Sequence, residues 1–377
     1  MSSDGKGIKD LVGEVINEGL CTGCGACITG CPYVVSHEGR IVVLDKCLGV
    51  AENGDCYRHC PRTLTDVEAL SRRILGSPFG ETEIGHYENV WMVRSKVPGV
   101  ADKSQDGGCV TTLMLLALEE GLVDVVSCSK MDEERSPHGY LARTREELLS
   151  CSGSSYEASY SLEAYRSLPK DSSEKIAVVG LGCQTEALGK IKNQAPRNNP
   201  DPKNIKLTIG LFCGWALLPR TFHPFLKQLC DVTDVCKFDI PHTPHYSFDT
   251  VMKQDGKVNS VPLDEIKPFI NPACNYCWDM TAELSDISVG SAGSSYPGWN
   301  TIVVRTPAGA ELMKLAEEKN VLEIKNLPEE RLSNLKNAAQ NRKKKALKNI
   351  REKTGRKDDL LYIQGLKPEL IASIIGE

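Results

Sequence analysis

The chain has 377 residues, 41% of them hydrophobic and 25% charged, with a formal net charge of −5. That length supports two or three domains with cores of their own, and the mild acidity argues against nucleic acid as the main partner. No apolar run reaches the ~18 residues that a spanning helix needs. The N-terminal MSSDGKGIKD has no apolar secretory core, so a cytoplasmic location, or a peripheral one on a membrane complex, is expected.

Sixteen cysteines are too clustered for a secreted disulfide scaffold. Seven fall between residues 21 and 60, and the first four, in CTGCGACITGCP, stand at C-x2-C-x2-C-x3-C-P spacing. This run wraps a [4Fe–4S] cube in bacterial ferredoxins: three cysteines hold one cube and the fourth crosses to a second. Two-residue gaps let a tight loop reach three corners, and Gly23 and Gly25 keep side chains off the cluster. Cys21, Cys24 and Cys27 are therefore read as ligands of a first cluster, and pseudo-symmetry adds Cys60, from a second Cys-Pro. Cys31, Cys47 and Cys56 remain for a second cluster that is one ligand short, because Val50 stands where a cysteine is expected and AENGD is inserted. A three-iron cluster, a cube with an oxygen ligand from Asp45 or Asp55, and no cluster all stay open for that site. Residues 1–85 are expected to form this small ferredoxin-like α+β iron–sulfur domain.

The pattern then changes to that of an α/β domain over 86–330. TTLMLLALEEGLVD (111–124) predicts an amphipathic helix and VDVVSCSK (123–130) a strand. KIAVVGLGCQTEALGKIK (175–192) predicts strand, glycine turn and helix, and NIKLTIGLFCG (204–214) a buried strand. Alternating strands and helices predict a mostly parallel sheet. GLGCQT (180–185) approaches a dinucleotide fingerprint, but Thr185 stands at the third glycine and no acidic partner follows about 20 residues on, so a nicotinamide site is not expected. Cys183 and Cys213 fall at strand ends, which converge on one edge of a parallel sheet, and the C-N-Y-C of Cys274 and Cys277 would close a site over them. Four thiolates suit a cubane or a zinc ion; ordinary buried cysteines are the plain alternative. The basic run RKKKALKNIREK (342–353) lies in a helical extension over 331–377. It reads as a solvated face or as a docking surface for an acidic coenzyme or partner. The tail DLLYIQGLKPELIASIIGE (359–377) reads as a packing helix or as a peg that seats in a neighbouring polypeptide.

SQDGGCVTTLM (104–114), VVGLGCQ, GLFCG and CNYCWDMTAELSDISVGSAGSSYPGWNTIVVRT (274–306), in that order, resemble the family of coenzyme F420 hydrogenase/dehydrogenase beta subunits over about residues 88–352. With its ferredoxin-like head the chain is most similar to the input subunit of F420H2 dehydrogenases. The resemblance implies a flavin, FAD, bound by the α/β core beside a [4Fe–4S] cluster on Cys183, Cys213, Cys274 and Cys277. That makes two or three clusters in all, with coenzyme F420 as the substrate stacking on the flavin. It implies that the flavin lies against Gln105, Asp106, Gly107, Gly108 and Thr111. Ser154 and Tyr156 of CSGSSYEAS, Gly182 and Gln184, and Gly290, Ser291 and Gly293 complete its surroundings. Two departures stand out: Ser155 replaces the family's phosphate-binding lysine, and Cys109, read as packing, replaces an aliphatic residue.

The implied reaction is hydride exchange between F420 and the flavin, with single electrons passed through the clusters to a partner redox complex. That partner would be of F420H2 dehydrogenase, hydrogenase, formate dehydrogenase or heterodisulfide reductase type, or a ferredoxin. No protein acid or nucleophile is required. Lys190, Arg305 and the 342–353 run are candidates for the mouth that receives the acidic F420. Glu283 and Asp286 are read as surface acids without a catalytic role, and Trp299 as core. Two other functions fit the same residues: an electron-transfer adaptor without F420 activity, and a ferredoxin-dependent reductase of a tetrapyrrole-like substrate.

Overall fold

The computed structural model describes residues 5–28, 33–37, 39–44, 54–194, 200–241 and 246–376. In the head, strands β1 (Val34–His37) and β2 (Arg40–Val43) form a hairpin, followed by the short β3 (Thr65–Asp66). The core strands are β4 (Asn89–Ser95), β5 (Val125–Met131), β6 (Pro137–Ala142), β7 (Ile176–Leu181) and β8 (Ile205–Leu211). After β9 (Val235–Asp239), β10 (Ser247–Met252) and β11 (Val258–Pro262) come β12 (Ile287–Ser291), β13 (Asn300–Val304), β14 (Leu322–Asn326) and, in the tail, β15 (Ile363–Gln364).

One eight-stranded sheet organises the core, in the order β14-β4-β13-β12-β8-β7-β5-β6. The central β12, β8, β7 and β5 run parallel, whereas β13, β4, β14 and β6 pair antiparallel. The mostly parallel sheet expected from sequence is thus corrected to a mixed one. The cause is local: β5 to β6 and β12 to β13 are hairpins, too short to hold the crossover that a parallel neighbour needs.

Other expectations shift by a few residues. The helix expected from 111 spans Cys109–Glu119, and its residues 112–117 are all buried. It lies between the sheet and the helix Pro307–Glu318 within one apolar cluster, so it is buried nearly all round rather than amphipathic. The strand over 175–181 and the helix after it are present, but no glycine loop separates them. The helix Gly182–Asn193 starts at once, with the Leu181 N–H donating to Gln184 Oε1 at 2.7 Å. Among the described residues no helix is long and apolar enough to cross a membrane.

The cysteine loop of the head is tied to the core by backbone carbonyls. Cys21 O accepts from Asn271 Nδ2 at 3.0 Å, Cys24 O from the Leu162 N–H at 3.3 Å, and Gly25 O from Arg166 Nη1 at 2.8 Å. Lys190 Nζ donates to Cys60 O at 2.6 Å and also reaches Thr63, Leu64 and Thr65. A Cβ on Gly25 would stand 2.9 Å from both Tyr160 O and Glu163 N, at φ +86°. Glycine is required there by the docking of the head as well as by any cluster.

The tail acts as a strap. β15 pairs in parallel with β3 of the head. The helix Pro368–Ile375 shares an apolar cluster with Ala346, Leu347 and Ile350 of the long helix Glu329–Thr354 and with Val67 and Phe79. Of the two readings of the tail, the packing helix is the one seen.

Candidate functional site

A cavity of about 1100 Å³ opens at the carboxyl ends of the parallel strands β5, β7, β8 and β12. This edge is where open α/β sheets place their ligands, and the volume is at the upper end for small-molecule sites, so it has room for two ring systems. Gln105, Asp106, Gly108, Thr111, Ser154, Tyr156, Gln184, Gly290 and Ser291 line it. The Gln105 amide donates to Asp239 across the cavity wall. The helix Cys109–Glu119 begins at Gly108, whose own side chain offers no cap; the Cys109 N–H donates to Asn300 Oδ1 at 3.2 Å, and the Val110 and Thr111 N–H groups remain for a ligand at that end.

Gly107, Gly182 and Gly293 are not among the residues that line the cavity. Each is small because protein presses on it. An added Cβ would lie 2.8 Å from Asn300 Oδ1 at Gly107, 2.8 Å from Asp279 Oδ2 at Gly182, and 2.7 Å from the Arg331 guanidinium at Gly293. Gly290 faces the cavity from the β12–β13 hairpin, and a Cβ there would collide with the Phe212 ring.

Two sets of thiols are candidates for metal centres, one of which reaches this cavity through Cys213. Cys21, Cys24, Cys27 and Cys60 surround one small void walled by Leu11, Val15 and Ile41. Burial holds the Cys21 thiol up at about 11 and the Cys60 thiol at about 12, and raises Cys24 and Cys27 as well. In the second set, Cys183 acts electrostatically with Cys277 and Cys213, and Cys213 with Cys274. Burial raises Cys183, Cys213 and Cys274, so a metal centre would have to displace their protons on binding. Cys213 also lines the large cavity.

Every described cysteine is a free thiol. Among the described residues no three Cys, His, Asp or Glu side chains close on a single metal ion. A cube makes a different demand, since its four thiolates bind four separate irons. Buried, sulfur-only donor sets are of the kind that holds such clusters. Cys31, Cys47, Asp45 and Val50 lie outside the described residues, so of the second head site only Cys56 and Asp55 are placed, in the short helix Asp55–Arg58.

The basic residues proposed for an F420 mouth lie elsewhere. Lys190 is buried against the head. Arg305 is fully buried, donating to Ser288 Oγ, Ile84 O and His86 O. In the 342–353 run Lys343 is buried in an ion pair with Glu283 at 2.7 Å, and Arg342 donates to Cys274 O at 2.6 Å. Glu283 is therefore not a surface acid; burial raises its carboxyl, and Lys343 offsets this in part. Asp286 is half-buried and accepts from Thr208 N and Thr306 Oγ1. Trp299 is buried beside Met92 and Ala292.

Sequence reasoning missed two cations on the cavity wall. Arg135 and Arg331 both line it, and each has a buried Nε with no hydrogen-bond partner. Arg135 sits in the polar turn MDEERSPHG and carries no signal beyond turn chemistry. It also missed the pair formed by buried Glu157, on the same wall, and half-buried His223 behind it, 2.8 Å apart.

A large cavity at the strand ends, together with the two buried cysteine sets, defines the molecule as an iron–sulfur oxidoreductase component. Residues 14–72 match a 4Fe-4S dicluster domain, residues 90–166 the N-terminal part and residues 173–330 the C-terminal part of coenzyme F420 hydrogenase/dehydrogenase beta subunits. The chain belongs to that family of beta subunits. It is 31% identical over 253 residues to the beta subunit of the coenzyme F420 hydrogenase of Methanosarcina barkeri, covering 65% of this chain and 84% of that one. To a component of the F(420)H(2) dehydrogenase of Methanosarcina mazei it is 28% identical over 315 residues, 82% of this chain and 85% of that one. To the coenzyme F420-dependent sulfite reductase of Methanocaldococcus jannaschii it is 30% identical over 349 residues, 88% of this chain but 52% of that protein's length. The structure of the F420-reducing [NiFe] hydrogenase complex from Methanosarcina barkeri contains a chain that superposes with a TM-score of 0.65 at 28% identity, over 72% of this chain and 93% of that one.

Proposed function

We propose that this chain exchanges hydride with coenzyme F420 at a bound FAD and passes single electrons through [4Fe–4S] clusters to a larger redox complex or a ferredoxin. The observation that carries this reading is one continuous line. The large cavity ends at Cys213, whose thiol set includes Cys183, and Cys183 is close enough to Cys24 of the head for their charges to interact. The flavin, when bound, supplies the exchange between hydride and single electrons, and the clusters carry the single electrons.

The chain's own residues hold and screen these groups. Gln105, Asp106, Gly108 and the N-terminus of the helix Cys109–Glu119 would bind the flavin and its phosphates. Arg135 offers the cavity a positive charge that Ser155 lacks. Arg331, also on the cavity wall, suits the phosphate and glutamate tail of F420. Cys21, Cys24, Cys27 and Cys60 would hold the first head cluster, and Cys183, Cys213, Cys274 and Cys277 the core cluster. Cys31, Cys47 and Cys56 are left to a second head site, a three-iron cluster or a cube completed by an oxygen ligand if it is filled.

The test is anaerobic mixing of the reconstituted chain with reduced F420 while flavin and cluster absorbance are followed. Bleaching of both within the mixing experiment, with reduction of a one-electron dye, is the expected result. Full iron content with no flavin and no response to F420 would overturn the proposal in favour of an adaptor.

A further inference from the structure

Arg62 follows directly on Cys60-Pro61 and is the least satisfied cation in the described molecule. Its side chain has 0% exposure. Nε, Nη1 and Nη2 make no hydrogen bond among the described residues. The nearest carboxylate oxygen, Glu186 Oε2, is 3.6 Å from Nη1, beyond hydrogen-bond range. A buried guanidinium with its donors unmet is costly, and its surroundings indicate which acceptors are missing.

The guanidinium stacks on the Tyr362 ring, 4.4 Å from the centroid. Tyr362 in turn donates its hydroxyl to Tyr276 O at 2.8 Å, inside the loop between Cys274 and Cys277. Glu186 stands one turn after Cys183 on the same helix. The Arg62 N–H donates to Cys60 Sγ at 3.4 Å. The side chain is therefore wedged in the seam between the two thiol sets. Cys183 and Cys277 lie within its electrostatic reach on one side, and Cys21 and Cys24 on the other. Sulfur atoms of clusters held on those thiols would be the acceptors its donors lack.

We propose that Arg62 is a positioning residue that bridges the head and core iron–sulfur sites, its N–H groups hydrogen-bonding to sulfur of both and its charge raising the reduction potential of each. Hydrogen bonds to cluster sulfur and nearby positive charge both favour the reduced, more negative cluster. One residue would then hold the two sites at a fixed separation and keep their potentials matched. The inference rests on the cluster assignments proposed above, but not on F420.

The experiment is an EPR-monitored redox titration with dithionite of the full, anaerobically reconstituted chain, as wild type, R62M, R62K and E186Q, with iron counted in each. In R62M both clusters should become at least tenfold harder to reduce, a fall of about 59 mV for a one-electron couple, at unchanged iron content. R62K should recover part of the shift. E186Q, which removes the nearby negative charge, should shift both potentials upward and calibrates the effect of one charge at this seam; the graded order wild type, R62K, R62M is the response that a merely structural role for Arg62 does not give. Unchanged potentials in iron-replete R62M, or a shift in one cluster alone, would overturn the proposal. If R62M does not load iron, R62K carries the test, and potentials in R62K equal to wild type overturn it. Iron in the wild-type head alone overturns it too, by removing one end of the bridge. Because no step uses F420, these outcomes are read separately from the F420 mixing experiment.

Discussion

Replacing Lys343 with methionine should destabilise the chain in a way that depends steeply on pH. Lys343 Nζ lies 2.7 Å from Glu283 Oε1, both side chains are 3% exposed, and Nζ also donates to Glu83 O at 2.9 Å. Without the ammonium, Glu283 remains buried and must take up a proton to fold. Its ordinary pKa is 4.5, so holding it neutral at pH 7 costs up to about 3 kcal/mol at 1.36 kcal/mol per unit. The loss is at most that, since burial already raises this carboxyl in the intact pair. A carboxyl whose folded pKa is raised carries no penalty below its unfolded pKa, and the penalty grows as pH rises through and above it. K343M should therefore be close to wild type at pH 4.5 to 5 and fall behind by up to about 1.4 kcal/mol per pH unit above that. Anaerobic urea unfolding at pH 5 and pH 7.5 measures this, and K343M/E283Q should recover most of the loss. An equal deficit at both pH values, or no recovery in the double variant, would refute the reasoning.

The Glu157–His223 pair has the opposite sign. Burial opposes the His223 charge, but Glu157 outweighs it and holds the imidazole above its usual 6.5. Its stabilisation is thus present below pH 6.5 and is lost as pH rises through the raised value. H223Q should cost about 1.5 kcal/mol at pH 6, the low end for a hydrogen bond to a charged group, and converge with wild type at pH 9 in the same unfolding assay. C274S should lower the iron content by about four per chain and leave the head cluster signals in EPR spectra; loss of all iron would argue against separate sites. R331Q should raise KM for F420 about tenfold, the value of one charge-assisted hydrogen bond, with kcat little changed in steady-state dye reduction; an unchanged KM would remove Arg331 from the F420 site.

Local chemistry was the legible part of this sequence. The C-x2-C-x2-C spacing announced an iron–sulfur loop, and apolar runs bounded by glycine gave β5, β7 and β8 within a few residues. Strand direction was not legible, because whether β13 returns beside β12 or crosses over depends on a loop that periodicity does not describe. The glycines illustrate the same limit. Gly107, Gly182 and Gly293 all signal close approach, but only tertiary packing shows that the approaching group is Asn300, Asp279 or Arg331. Lys190, Arg305 and Lys343 read as exposed cations because long basic side chains usually are. Each is buried instead, with carbonyls or a carboxylate from a distant segment closing around its head group. Arg62 gave no signal at all beyond following a Cys-Pro.

The strap formed by β15 also sets the order of events in the cell. β3 and β15 are roughly 300 residues apart in the chain, and at about 20 residues per second the ribosome needs some 15 s to supply the second after the first. During that time the cysteine loop has emerged, while Tyr362, the ring beneath Arg62, has not yet been made. The cysteine loop of the head is therefore synthesised well before the strand that closes over it, and is among the last parts to be enclosed. Cluster insertion before synthesis ends would have to proceed on an open, oxidisable loop, and a chain stalled short of its tail would expose that loop to oxygen and to proteases.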